Sequence, residues 1–327
     1  MRYKVLITSR SFGRVTKNPA IWLENQGFEL IYSDLPKPLT EKDMIISIHG
    51  MDAAIVGNDE ITAQVFKVAD RLKVISMHGV GVNHIDLKAA EEKGVVVTNT
   101  PGANTEAVAE LTIGLIFALA RQIPQAHLST RRGGWERFVG IEIKNKIVGI
   151  IGLGRIGKIV ARYLRALGTK ILAYDVVKDN DFALQMDIHY VELEELLRES
   201  DIVTLHIPLT PQTQNLLDSR RLKLMKKGSL LINTARGELI DEVALVTLLK
   251  NGYLGGAALD VYTKQPPKGS PLLELDNCIT LPHIGAYSRE ALEQMGMMAA
   301  ENVVAVIKGE RPHNVVTHKT QGRKDKL

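Results

Sequence analysis

Residues 147–157 read Ile-Val-Gly-Ile-Ile-Gly-Leu-Gly-Arg-Ile-Gly, and Asp175 follows eighteen residues after Gly157. The apolar, β-branched run Ile147 to Ile151 predicts a buried strand, and the residues after Gly154 carry a helical pattern to about Leu167. Placed between strand and helix, the three glycines have separate jobs. Gly152 allows the tight turn, Gly154 lets backbone approach a pyrophosphate, and Gly157 lets helix pack close on strand, while the helix amino end faces the anion. A G-x-G-x-x-G run alone also fits a glycine-rich turn that binds nothing. Here the next predicted strand, Lys170 to Tyr174, ends in Asp175. That is close to the roughly 20-residue spacing at which an acidic side chain accepts from both ribose hydroxyls and repels a 2′-phosphate. The stretch predicts a dinucleotide-binding unit that takes NAD in preference to NADP.

Outward from this turn, short apolar runs alternate with helical patterns over almost the whole chain, the signature of βαβ units and parallel sheets. A first series of strands is predicted at Tyr3 to Thr8, Glu29 to Tyr32, Ala53 to Val56, Val74 to Ser76 and Val95 to Thr98. A second begins at Ile147 and continues with Lys170 to Tyr174, Ile202 to Leu205, Leu230 to Asn233, Gly256 to Leu259 and Cys278 to Leu281. Two series predict two doubly wound α/β domains. One long helix, opened by Asn104 and Thr105 and ended near Pro124, connects them, and Gln265 to Pro271 reads as a proline-rich excursion.

At 327 residues the chain is long enough for two domains, and 45% hydrophobic with 24% charged residues are the proportions of a globular protein. The net charge of +4 is concentrated at the end, where Lys319, Arg323, Lys324 and Lys326 against Asp325 supply +3. Such a tail predicts a solvated terminus, and the body has no basic stripe with aromatics, so nucleic acid is not an expected partner. The start lacks the apolar core of a signal peptide, and Ala107 to Ala120, interrupted by Glu110 and Thr112, falls short of a membrane span. With one cysteine, Cys278, no intrachain disulfide can form. These features predict a soluble cytoplasmic protein. Cys278 is expected to be buried and inert, Trp22 and Trp135 to serve packing, and the histidines show no metal-ligand spacing.

The segments Ala120-Arg-Gln-Ile-Pro-Gln-Ala126, Gly134-Trp-Glu-Arg137, Gly152 to Gly157, Asn233-Thr-Ala-Arg-Gly237 and Leu281-Pro-His-Ile-Gly285 occur in the order seen in D-2-hydroxyacid dehydrogenases. The chain resembles that family from about Lys4 to Gly309, most closely its D-3-phosphoglycerate dehydrogenases. The resemblance implies a Rossmann NAD-binding domain, residues 101–284, inserted into a flavodoxin-like substrate domain made of residues 1–100 and 285–327. It also implies a homodimer in which the 104–121 helix takes part. Only about 18 residues follow Gly309, so the regulatory domains of longer phosphoglycerate dehydrogenases are not expected.

Reducing a 2-keto acid requires a fixed cation for the carboxylate and carbonyl, and a proton donor for the developing alkoxide. Arg236, after the strand Leu230 to Asn233, can grip a carboxylate in bidentate fashion, although an arginine in a turn can also be plain surface. His283 has the side chain suited to proton exchange near neutral pH, and the resemblance places the acid/base there. The resemblance further implies that Gly79, Val80, Gly81 and Asn104 bind substrate. It gives Val80, Arg155, Ile156, His206, Thr213, Thr234, Ala235 and Asp260 to the cofactor, with Asp260 near the nicotinamide amide. For His206, packing alone is an equal alternative.

Three departures stand out. Where the family has a glutamate that orients the histidine, this chain has Gln265, so His283 should have a lowered pKa and Gln265→Glu should shift the reduction optimum upward. Phosphoglycerate-specific relatives carry an arginine where this chain reads Val56-Gly57-Asn58 and often a cation at Met77, and both are missing. Asn83-His84 replaces the usual Asp-Asn pair, and His84 reads as a surface or supporting residue. Three readings follow: an NAD-dependent 2-hydroxyacid dehydrogenase with an altered substrate, a formate-dehydrogenase-like enzyme, and a catalytically weak NADH-sensing binding protein.

Overall fold

A computed structural model describes residues 2–317, and the basic tail from Lys319 lies outside them. The chain divides into two compact units, one running up to Asn104 and resuming at Ala286, the other spanning Thr105–Gly285.

Unit 1 runs β1 (Tyr3–Ile7), α1 (Asn18–Asn25), β2 (Phe28–Tyr32), α2 (Glu41–Ser47), β3 (Ala53–Val56), α3 (Ala63–Val68), β4 (Val74–Met77), α4 (Leu87–Lys93) and β5 (Val96–Thr98). Its five strands pair in the order β2-β1-β3-β4-β5, all parallel. β3 and β4 are buried along their whole length, as a sheet covered on both faces requires. One face packs Leu6, Ala54, Ile75 and Val97 against Met44, Val65 and Phe66, and the other packs Val5, Ile55 and Val74 against Leu23, Ala299 and Val303. Side chains in strands alternate between faces, so the single-residue offsets Val5/Leu6 and Ala54/Ile55 feed two cores.

Unit 2 runs α5 (Thr105–Ala120), α6 (Ile123–Arg131), β6 (Ile147–Ile151), α7 (Arg155–Ala166), β7 (Lys170–Tyr174), α8 (Asn180–Gln185), β8 (Ile188–Tyr190), α9 (Leu193–Glu199), β9 (Ile202–Leu205), α10 (Ser219–Leu222), β10 (Leu230–Asn233), α11 (Glu242–Lys250), β11 (Gly256–Leu259) and β12 (Cys278–Thr280). The parallel order is β12-β11-β10-β9-β6-β7-β8, so the strand order reverses between β6 and β9. That is the doubly wound dinucleotide-binding order with one strand added. The chain then returns to unit 1 as α12 (Arg289–Ile307), started by Ser288, whose hydroxyl accepts from the Ala291 amide.

Three expectations need correction. The long helix does not run on to Pro124: α5 ends at Ala120, Gln122 takes a left-handed φ of 51°, and Pro124 lies in the first turn of α6. Proline suits a first turn because its fixed φ is helical and its missing N–H costs nothing there. Trp135 is not a packing residue within this chain, being 78% exposed, whereas Trp22 does pack on the core beneath α1. An additional edge strand, β8, occupies Ile188–Tyr190. No single helix among the described residues is long and apolar enough to cross a membrane.

Candidate active site

The glycine-rich turn leaves the carboxyl end of β6 beside β9, at the point where strand order reverses and where open α/β sheets bind ligands. Gly152 has φ 98°, and a Cβ there would stand 2.7 Å from the His206 carbonyl oxygen. A Cβ on Gly157 would stand 2.1 Å from the Gly152 oxygen, so α7 could not approach β6. On Gly154 it would meet nothing within 4 Å. Two glycines are demanded by packing, and the third leaves clearance over the amino end of α7, the cradle that a pyrophosphate needs. Asp175 closes β7. Its Oδ2 accepts from the Leu153 amide at 2.7 Å and its Oδ1 from Val177 at 3.0 Å, which anchors the turn and leaves lone pairs for ribose hydroxyls. Arg155 and Ile156 open α7, Arg155 exposed and Ile156 half-buried.

His206 follows β9, with Nε2 3.0 Å from Thr204 Oγ1, and burial pushes its imidazole down to about 3. It is neutral throughout the physiological range. Two expected cofactor residues spend their side chains elsewhere. Thr213 donates its hydroxyl to the Pro208 carbonyl and accepts from the Thr210 amide, so it shapes the 208–213 turn. Thr234 lies 3.0 Å from Thr112 Oγ1 of α5, whose own proton goes to the Val108 carbonyl. The Thr234 hydroxyl is thus engaged within the fold.

Arg236, Gln265, His283 and Asp260 are brought together from beyond the carboxyl ends of β10, β11 and β12. The Asn233 side chain shapes the Arg236 turn, donating to the Arg236 carbonyl at 2.8 Å and accepting from the Ala235 amide at 3.0 Å. The Arg236 guanidinium donates to the Ala235 carbonyl at 2.6 Å, and burial lowers its pKa. Among the described residues no carboxylate lies within 4.0 Å of it. Glu238 offsets part of this burial from a longer distance, and an anionic ligand in contact would offset more of it.

His283 takes a left-handed φ of 58°. The strain is held by Asp260, completely buried, whose two oxygens accept from the Ile284 and Gly285 amides at 2.7 Å each. Asp260 thus fixes the His283 turn, a task its place in the sequence does not announce. Gln265 donates Nε2 to the Tyr262 carbonyl at 3.3 Å, which turns Oε1 toward His283 Nδ1 at 2.8 Å. Nδ1 must then carry the proton, and Nε2 is left as the acceptor. Burial, with Arg236 adding its charge, lowers the imidazole to about 4. No carboxylate offsets these effects where Gln265 stands.

In unit 1, Gly79, Val80 and Gly81 form the turn after β4. The Gly79 carbonyl accepts from the Thr100 amide at 2.9 Å and hydroxyl at 3.0 Å, and Val80 O from the Asn99 side chain at 2.8 Å. With the carbonyls pinned, the three amides donate to nothing among the described residues. Behind them lies His78, which sequence reasoning passed over. Its Nε2 faces the Leu292 carbonyl at 3.3 Å, so Nδ1 accepts from Ser9 Oγ at 2.9 Å, and burial lowers the ring to about 4. Met77, where a cation was missing, is a buried apolar side chain, and Asn58 is exposed. Asn104 stands directly before α5.

Cys278 opens β12 and is half-buried, not fully buried as expected, and desolvation still pushes its thiol up to about 12, far from a reactive thiolate. A cavity of about 290 Å³, lined by Leu119, Phe138, Val139, Gly228 and Asp276, lies at the amino ends of β10–β12, away from Arg236 and His283.

Residues 113–285 match the family "D-isomer specific 2-hydroxyacid dehydrogenase, NAD binding domain". The chain is 45% identical over 282 residues to a D-3-phosphoglycerate dehydrogenase of Methanocaldococcus jannaschii, a match covering 85% of this chain and 54% of that protein. It therefore spans about half the length of that relative. It is 42% identical to a glyoxylate reductase of Thermofilum pendens over 85% of both chains. Among solved structures, a D-lactate dehydrogenase from Aquifex aeolicus, complexed with NAD and lactic acid, superposes with a TM-score of 0.83 at 30% identity. That likeness covers 96% of this chain and 99% of the other.

Proposed function

We propose that this chain, which belongs to the D-isomer-specific 2-hydroxyacid dehydrogenase family of NAD-dependent oxidoreductases, transfers hydride between nicotinamide and a small D-2-hydroxy or 2-keto acid. The observation that carries this reading is the pairing of a half-buried Arg236, which has no carboxylate within 4.0 Å among the described residues, with a neutral His283 whose Nε2 is a free acceptor. Gly152, Gly154, Arg155, Ile156, Gly157, Asp175 and His206 would hold NAD, together with the backbone of Thr234. When bound, the cofactor supplies or accepts the hydride at the substrate C2.

Arg236 grips the substrate carboxylate in bidentate fashion and polarises the C2 carbonyl. Unit 1 carries its own donors suited to an acid group, the free amides of Gly79, Val80 and Gly81 and the Asn104 side-chain amide. In oxidation, His283 Nε2 accepts the hydroxyl proton as the C2–H bond yields its hydride. In reduction the same nitrogen returns a proton to the developing alkoxide. A bound carboxylate cancels the Arg236 charge that lowers His283, so the imidazolium becomes easier to form when substrate is present. Gln265 accepts from Nδ1 and keeps the ring aimed.

The names of the relatives support phosphoglycerate, glyoxylate or lactate as candidate substrates. A homodimer through α5 and the 123–141 segment is part of this reading. Ile123, Trp135 and Val139 are 52%, 78% and 88% exposed there, an apolar face that a second copy would cover. The single cysteine accords with a cytoplasmic setting. The test is NADH consumption with glyoxylate, pyruvate and phosphohydroxypyruvate, and NADH formation with formate, which a Gln–His pair also suits. Turnover of a 2-keto acid is the expected result. NADH binding without turnover of any of them would leave a sensor.

A further inference from the structure

Unit 1 lacks the cations at Asn58 and Met77, yet three others gather close by. Its strand order reverses between β1 and β3, and the loops leaving the carboxyl ends of those strands border the crevice in which such sheets bind ligands. The loop after β1 carries Arg10 and Arg14, and the loop after β2 carries Lys37. The Arg10 guanidinium donates to the Lys37 carbonyl, Lys37 Nζ donates to the Ser9 carbonyl at 3.5 Å, and Arg14 stands 5.8 Å from the Tyr32 ring centre.

Among the described residues none of the three cations has a carboxylate within 4.0 Å. Burial lowers the half-buried Lys37 and the Arg14 charge lowers it further, while Asp59 and Asp34 pull the other way and Arg10 adds a last unfavourable charge. Asp59 is itself engaged by the fold, accepting from the Thr8 hydroxyl and from the Leu39 and Gly57 amides. The like charges are therefore held together with no carboxylate in ion-pair contact among the described residues, Asp59 and Asp34 acting on Lys37 only from longer range. They also adjoin the substrate loop, because Ser9, whose carbonyl holds Lys37, donates its hydroxyl to His78, the residue immediately before Gly79.

We propose that Arg10, Arg14 and Lys37 form a subsite for a second anionic group, a phosphate or a distal carboxylate, at the far end of a 2-hydroxy acid held by the Gly79–Gly81 amides. This rests on the hydroxyacid dehydrogenase reading. The substrate is then a dianionic acid, and the charge missing from Asn58 and Met77 is supplied from the β1 and β2 loops.

Binding and turnover separate the two claims. Calorimetry on the NADH-loaded protein, which cannot take hydride from a hydroxy acid, measures D-glycerate, 3-phospho-D-glycerate and D-malate. Partly exposed charge pairs imply that a dianionic acid binds about tenfold or more tightly than D-glycerate. That preference should fall to about threefold or less in Arg14→Met/Lys37→Met and persist in Lys37→Arg. Preference for phosphoglycerate alone assigns the subsite to phosphate, and preference for malate alone to a carboxylate. Equal affinity for all three acids, or a preference that survives removal of both charges, overturns the proposal. NADH oxidation with the matching keto acids reads the reaction itself. Preference without turnover keeps the subsite and removes the dehydrogenase reading, and turnover without preference does the reverse.

Discussion

In the proposed reaction His283 is the residue on which the chemistry turns, and its behaviour follows from three neighbours. Burial and Arg236 lower it to about 4, Gln265 fixes its tautomer, and Asp260 holds its strained turn. The limb of kcat/KM for hydroxy-acid oxidation reports the free enzyme, so it should lie well below the ordinary imidazole pKa near 6.5. A carboxylate beside imidazolium favours the charged form, so Gln265→Glu should raise that limb by about one unit and move the reduction optimum upward. Matching pH profiles for the two proteins would contradict this account of Gln265. Arg236→Lys keeps a charge but loses the planar fork, and kcat/KM should fall about a hundredfold. A steady-state comparison at saturating NADH checks it. Arg236 and His283 are legible in the sequence because each follows a short apolar run inside a matched motif. The work of Asp260 is not, because which amides a buried carboxylate meets depends on the path of residues 283–285. His78 escaped for the same reason, as its partners Ser9 and Leu292 are far away in sequence.

At the level of elements, the β6–α7 junction shows why a few glycines are so informative. A methyl group on Gly157 would overlap the Gly152 carbonyl, so Gly157→Ala must push α7 off β6. NADH affinity should fall by about tenfold or more as the amino end of the helix leaves its place, measured by fluorescence titration. Asp175 anchors the turn and, on the proposed reading, also receives the ribose hydroxyls. Its replacement by serine should raise the NADPH to NADH efficiency ratio by about tenfold, by removing the charge that repels a 2′-phosphate. An unchanged ratio would leave Asp175 with only its bond to Leu153. Most strand positions were legible to within a residue, since fully buried parallel strands are continuous apolar runs. β8 was not, because Ile-His-Tyr is three residues long with one buried side chain. The break between α5 and α6 also hides in a helical pattern, since it is made by one left-handed residue, Gln122, and not by the proline.

For the whole molecule, the neutral histidines His78, buried, and His206, half-buried, should weaken the fold in acid. His78 and His206 titrate near 4 and 3 in the fold, against about 6.5 in an unfolded chain. The unfolded chain takes up their protons first as pH falls, so stability is complete above about 6.5 and is lost progressively from there toward 4 and below. The His78 contribution alone is on the order of 3 kcal/mol. His78→Gln should flatten part of this decline in thermal midpoint against pH, and an identical slope would remove His78 from the account. The two parallel sheets, their strand orders and the carboxyl-end loops place Arg236, His283 and the glycine-rich turn, the proposed cation, acid/base and phosphate cradle, on one unit, and a set of free amides on the other. The most direct test is deuterium transfer. NADH deuterated at C4 is incubated with glyoxylate, pyruvate or phosphohydroxypyruvate, and the product is read by NMR. The account predicts one deuterium at C2 of the hydroxy acid, in the D configuration where C2 becomes a stereocentre, with the transfer lost in His283→Ala. A product without deuterium at C2, or no product from any acid while NADH binds, would contradict it.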